Sequence, residues 1–250
     1  MGRLNIGTAG WSIPRQVASE FPVEGSALER YASRFTAAEV NSSFYRPHRL
    51  TTWARWRDST PDGFRFSVKL PKVITHERKL ANFEEPLAQF LAQVEMLGDK
   101  LAVLLVQLPP KLAFDSESAE RFFRALAAQS SAVIACEPRH PSWFASDAEP
   151  LLTAHRVARV AADPAICEGA RHPGGWRGLG YWRLHGSPRM YRSSYADRLA
   201  HYAALLESQV ATGADAWCIF DNTASSAAAG DALALTQMFT EAGCAAADLP

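Results

Sequence analysis

Short runs rich in Val, Ile, Leu and aromatic residues recur eight times along this 250-residue chain, and helical patterns fill most of the gaps between them. The runs are 4–9, 38–42, 64–70, 101–107, 132–137, 158–163, 180–185 and 216–221, each ending in Gly, Pro, Asn or a polar residue. Ser26-Ala27-Leu28-Glu29 reads as a capping box opening a helix whose Leu28, Tyr31 and Phe35 share one face. Asn82 is expected to cap a second, in which Phe83, Leu87, Phe90, Leu91, Val94 and Leu97 follow the 3.6-residue period. Tyr195, Leu199, Tyr202, Leu206 and Val210 trace a third, stopped by Gly213. Further helices are expected near 116–129 and 224–242. Strand and helix alternating eight times in one chain predict an α/β fold, a TIM-type (β/α)8 barrel forming a single domain over 1–250. The competitor is an open doubly wound sheet, which would usually carry a glycine-rich phosphate loop after an early strand; neither GxGxxG nor GxxxxGK[ST] occurs. Between Pro164 and Leu179 stand Gly169, Pro173, Gly174, Gly175 and Gly178, so the sixth helix is expected to be short or missing.

Composition narrows the class. The chain is 48% hydrophobic and 21% charged, which excludes wholesale disorder, collagen and a disulfide scaffold. The longest clean apolar run, 101–106, is far short of the roughly 20 residues of a membrane helix, so no membrane partner is expected. The N-terminal residues lack the apolar core of a signal peptide, which makes a cytoplasmic protein the default. Cys136, Cys167, Cys218 and Cys244 form no CxxC pair, and Cys136 and Cys218 read as buried, inert thiols. Net charge is zero, but residues 1–80 carry a balance of +6 against −3 each for 81–180 and 181–250. Arg outnumbers Lys 21 to 5, a preference that suits phosphate or carboxylate and is equally explained by codon bias.

Function in such a barrel sits at the C-terminal strand ends and the loops after them. Strand residues alternate between faces, so Phe64, Phe66 and Val68 oppose Arg65, Ser67 and Lys69, while Trp182 and Leu184 oppose Tyr181, Arg183 and His185. The outer face packs on helices and must be apolar; the polar sets therefore point inward, joined by Glu39, Asn41 and Glu137. Buried charge is costly unless paired, and an internal network joining Arg65 and Arg183 to Glu39 and Glu137 is the structural alternative to a functional site. Lys69, Glu137 and His185, nearest the mouth, are the candidate catalytic residues.

Several stretches resemble the YecE-like proteins, the family of domain of unknown function 72. They are Ile6-Gly7-Thr8-Ala9-Gly10-Trp11, Glu39-Val40-Asn41-Ser42-Ser43-Phe44-Tyr45, Val68-Lys69-Leu70-Pro71, Ile74-Thr75-His76 and Val106-Gln107-Leu108-Pro109-Pro110. Cys136-Glu137-Pro138-Arg139-His140-Pro141-Ser142-Trp143, Tyr181-Trp182-Arg183-Leu184-His185-Gly186 and Phe220-Asp221-Asn222-Thr223 continue the likeness, in order, over nearly the whole chain. The resemblance implies a TIM-type barrel and brings no settled reaction with it. The family pattern after the eighth strand is Asn-Asn; Asp221 departs from it and adds a carboxylate.

Three chemistries compete at the mouth. A catalytic metal would need convergent ligands from Glu39, Glu137, Asp163, His185 and Asp221, but only His185 is a strand-end histidine and no HExxH occurs. No cofactor is therefore expected, with a divalent metal as the alternative. Glu137 with its pKa raised by burial, together with His185, would form an acid–base pair. Lys69 would serve as an anion anchor or, with its pKa lowered by burial or a neighbouring cation, as a Schiff-base nucleophile. Arg46, Arg49, Lys72, Arg78, Lys79, Arg139, Arg189 and Arg192 lie in loops expected on the same face, which favours phosphate. Asn41, Tyr45, Arg46, His76, Gln107, Arg139, Arg183, Arg189, Tyr191 and Asn222 complete the expected substrate-binding set. Trp53 and Trp56, at i, i+3 spacing, read as core. The leading expectation is an enzyme acting by acid–base chemistry on a phosphate-bearing small molecule or sugar. The alternative is a nucleic-acid-binding or nuclease-like barrel using the same rim, against which zero net charge weighs.

Overall fold

The structure, a computed structural model, describes residues 2–241; Cys244 and residue 242 of the last expected helix lie outside the described residues. One sheet runs in the order β7-β9-β10-β1-β2-β3-β4-β5-β6-β8. Its strands are β1 (Leu4–Ala9), β2 (Ala37–Val40), β3 (Arg65–Lys69), β4 (Leu101–Gln107), β5 (Val133–Glu137), β6 (Val157–Arg159), β7 (Ala161–Asp163), β8 (Gly174–Gly175), β9 (Leu179–Leu184) and β10 (Asp215–Phe220). β6 pairs with β5, β7 pairs with β9, and only Val160 separates β6 from β7. One extended stretch thus joins both ends of the order and closes a parallel barrel of eight staves. The expected sixth strand is split at Val160, whose N–H turns to Cys136 O at 2.8 Å.

The expected absence of a full sixth helix has a local cause. β8 folds back antiparallel on β6, where a Cβ at Gly174 would lie 2.1 Å from Arg159 Nη2. Arg159 Nη1 also donates to Gly169 O at 2.6 Å, and Glu149 Oε1 accepts from Gly175 N at 2.7 Å. The loop is organised by these contacts, leaving room for a 3-10 turn over Glu168–Arg171.

Seven α-helices surround the barrel in the described residues: α1 (Ala27–Ala32), α2 (Leu50–Asp58), α3 (Glu84–Val94), α4 (Ser116–Gln129), α5 (Ala148–Ala154), α6 (Leu199–Ala211) and α7 (Ala228–Glu241). Ser26 and Glu29 form the expected capping box. Asn82 does not cap α3: its backbone is left-handed at φ +46 and Phe83 takes the cap position. Tyr195 also precedes its helix; its hydroxyl accepts from Gly186 N at 2.8 Å and lies 3.0 Å from Asp163 O.

Apolar packing forms two bodies. The larger fills the shell between strands and helices. It includes Trp53, whose ring meets Trp56 edge-on, as its helical spacing implies. The smaller lies inside the barrel, where Val103, Leu105, Ala135, Val160, Leu179 and Ile219 pack with Tyr181 and Trp217. The last two rings stack at 5.8 Å and 10°. No helix among the described residues is long and apolar enough to cross a membrane.

Candidate active site

Three successive inward positions on β9 and its end build the site in layers. Tyr181, lowest, donates its hydroxyl to Glu39 Oε2 at 2.8 Å and lies 2.9 Å from Ser67 Oγ. Arg183, fully buried, comes next. Its Nε and Nη2 grip Glu39 at 3.0 and 2.6 Å, Nη1 reaches Glu137 Oε2 at 2.5 Å, and Nη2 also reaches Asp221 Oδ2 at 3.1 Å. His185 sits above it, with Nδ1 2.9 Å from Asp221 Oδ2 and Nε2 3.2 Å from Glu137 Oε1. Gln107 Nε2 and Arg139 Nε each donate to Glu137 at 3.0 Å, one to either oxygen.

Two expectations change here. Arg65 does not join Glu39: it opens β3 at the opposite end of the barrel, and its Nη1 donates to the carbonyls of Asp62 and Phe64. The internal network exists, but its guanidiniums are Arg183, which bridges all three carboxylates, and Arg139, which pairs with Glu137. Glu137 is not an acid with a raised pKa. Burial pushes its carboxyl up, yet Arg183, then His185 and Arg139, overcome that and hold it well below the usual carboxylate range. Asp221 is likewise held down, with burial opposed by Arg183 and His185. Burial alone would make His185 less basic, but the Glu137 charge and the hydrogen bonds the imidazole donates to both carboxylates raise its pKa. The proton-bearing member is therefore the imidazole. The three carboxylates converge on the Arg183 guanidinium.

Lys69 differs from its neighbours. Its side chain is mostly buried, and Nζ lies 4.2 Å from the centroid of the Phe44 ring. Among the described residues its Nζ makes no hydrogen bond and no ion pair within 4.0 Å. Burial, then the Arg183 charge, bring its pKa down to about 8, against the pull of Glu137, Glu39 and Asp221. The other edge of this corner is His76, 4.9 Å from Phe44 and hydrogen-bonded to Thr75 Oγ1 at 2.8 Å. Its basicity is lowered by burial and then by Lys69 and Arg139. Asn41 is half-buried and its Oδ1 has no partner among the described residues. Tyr191, in left-handed backbone at φ +63, lays its ring 5.8 Å from His185 at 80°.

The structure thus brings together Lys69, His76, Gln107, Glu137, Arg139, Arg183, His185 and Tyr191. Other expected members lie apart. Tyr45 and Arg46 are exposed and line a neighbouring cavity of 270 Å³ with Phe44, Lys72, Val73 and Glu77. Arg189 is exposed on the loop after β9. Asn222 turns away, its Nδ2 donating to Ser193 O at 3.0 Å and Asp231 Oδ2 at 2.7 Å. Asp163 is held by Arg198 Nη1 at 2.7 Å and Tyr202 Oη at 2.5 Å, outside the cluster. Two residues that shape the site were missed in the sequence. Phe44 stands in the stretch that ends the second strand with nothing to mark it as a wall of the site, and Asp231 is visible only as an acid on the apolar face of α7.

Escherichia coli YecE is 29% identical over 147 residues, 58% of this chain and 52% of that protein; the chain spans about half the length of this curated relative. A DUF72-family crystal structure from Enterococcus faecalis matches with a TM-score of 0.77 at 20% identity, covering 96% of each chain. An L-ribulose 3-epimerase matches with a TM-score of 0.53 at 17% identity, covering 97% of this chain and 94% of that one. These two show a shared barrel. The family model described as "Protein of unknown function DUF72" matches residues 5–250, and the chain belongs to that family.

Proposed function

We propose that this protein is an enzyme acting by acid–base chemistry on a sugar or phosphate-bearing small molecule at the C-terminal mouth of the barrel. The observation that carries the reading is His185, wedged between two ionised carboxylates beside Lys69, whose Nζ has no partner among the described residues. In this reading His185 delivers a proton, Lys69 in its neutral form receives one, and Glu137 and Asp221 orient the imidazole. Arg139, partly exposed and paired with Glu137, meets an anionic substituent. The choice of a sugar leans on analogy of fold with the L-ribulose 3-epimerase, whose name states a sugar reaction.

The test is to incubate the protein in D2O with a panel of aldoses, ketoses and their phosphates and follow proton NMR. Deuterium entering next to the carbonyl of one member, and lost in folded His185→Asn and Lys69→Met variants, supports the reading. A folded wild-type protein that neither exchanges a proton nor alters any member overturns it.

A further inference from the structure

We propose that Lys69 condenses with a carbonyl group, so that the mouth takes an aldehyde or ketone and holds it as an imine. The inference rests on the mouth being the active site and narrows its substrate to molecules with a free carbonyl, such as an open-chain sugar.

The geometry separates Lys69 from a structural lysine. Lys100 shows the structural kind: its Nζ donates to the carbonyls of Arg57 at 2.6 Å and Thr60 at 2.5 Å. Lys72 pairs with Glu77 at 3.0 Å. Lys69 stands close to three carboxylates, yet all three are taken. Glu39 is gripped by Arg183 and Tyr181, Glu137 by Arg183, Gln107, Arg139 and His185, and Asp221 by Arg183 and His185. The amine is left against the face of Phe44, and the Lys69 carbonyl at the end of β3 accepts from Ser43 Oγ at 2.6 Å. A desolvated amine beside a guanidinium loses its proton more readily than a surface lysine, which is what nucleophilic attack requires. Strand ends on this face are where barrels place reacting groups.

The step balances. Neutral Nζ adds to the carbonyl carbon while the carbonyl oxygen takes a proton, supplied in this scheme by His185. The resulting carbinolamine loses its hydroxyl as water, with a further proton from the same imidazole. Both protons of the amine are returned to the site, so the net change is amine plus carbonyl giving imine plus water. No oxidant or reductant takes part.

The test uses dihydroxyacetone and dihydroxyacetone phosphate with sodium cyanoborohydride, followed by peptide mass mapping. The four other lysines (Lys72, Lys79, Lys100 and Lys111) serve as internal controls. Reductive labelling of Lys69 at least tenfold above each of them is expected, with a pH dependence that rises near 8 rather than near the ordinary lysine value. Labelling no greater than at the surface lysines overturns the imine. If that result accompanies deuterium exchange in the D2O assay, the imine falls and the acid–base reading stands. Selective labelling without exchange leaves the imine standing and removes the acid–base reading.

Discussion

At the residue scale, Arg183 is the pivot, since one buried guanidinium neutralises parts of three carboxylates. Removing one partner of a buried pair strands the others, a loss of about 3–5 kcal/mol. Arg183→Met is expected to fall in that range by urea unfolding, whereas exposed Arg189→Ala should stay within about 0.5 kcal/mol. The pH dependence has opposing parts. Glu137 and Asp221 titrate below their unfolded values, so their contribution is present above the usual carboxylate range and is lost as pH falls through the folded values. His185 titrates above its unfolded value; its contribution is complete below about 6.5 and is lost as pH rises through the folded value. Lys69 is lowered to about 8, so between there and its unfolded value the unfolded chain binds more protons and stability rises with pH. Melting curves of wild type and Lys69→Met should therefore diverge across that alkaline window. Parallel profiles would contradict the lowered pKa.

At the element scale, two contacts decide how the strands and loops reach the mouth. β1 lies so close to β2 that a Cβ at Gly7 would meet Ala37 O at 2.0 Å. Gly7→Ala is expected to push the staves apart and cost about 1–3 kcal/mol, as overpacking does, measurable by denaturant unfolding. Asp231 on α7 accepts from Ser194 Oγ at 2.5 Å, Tyr195 N at 2.9 Å and Asn222 Nδ2 at 2.7 Å. It thereby ties the loops after β9 and β10 to one helix. Asp231→Ala should speed hydrogen exchange at 186–195 while leaving β4 and β5 protected. Uniform exchange across the barrel would instead indicate a global loss of stability.

At the scale of the whole molecule, a neutral protein carries its basic excess in the first third, which supplies the loops after β2 and β3. The internal network accounts for Arg183 and, through Glu137, for Arg139. It leaves Lys69 and the exposed Arg46 and Arg189 unpaired among the described residues. If an anion belongs at this face, phosphate at 100 times its Kd should stabilise the fold by about 2.7 kcal/mol. The gain should shrink in Lys69→Met. A melting temperature indifferent to phosphate at fixed ionic strength would remove phosphate from the proposed substrate class.

The barrel was readable in one dimension because strand and helix are written in local periodicity: eight apolar runs, a capping box at Ser26, a glycine-rich gap where the sixth helix fails. Parity alone placed Tyr181, Arg183 and His185 inside, since a barrel's outer face must be apolar. Pairing was not readable. That Arg183 rather than Arg65 meets Glu39, that Asp163 leaves the cluster for Arg198, and that Asn222 turns to Asp231 depend on how far up the barrel each side chain sits. The protonation states were also decided in three dimensions. Burial by itself would have raised the Glu137 pKa and lowered that of His185. Cations around the one and carboxylates around the other reverse both shifts, because electrostatic interaction depends on distance in space and not on separation along the chain.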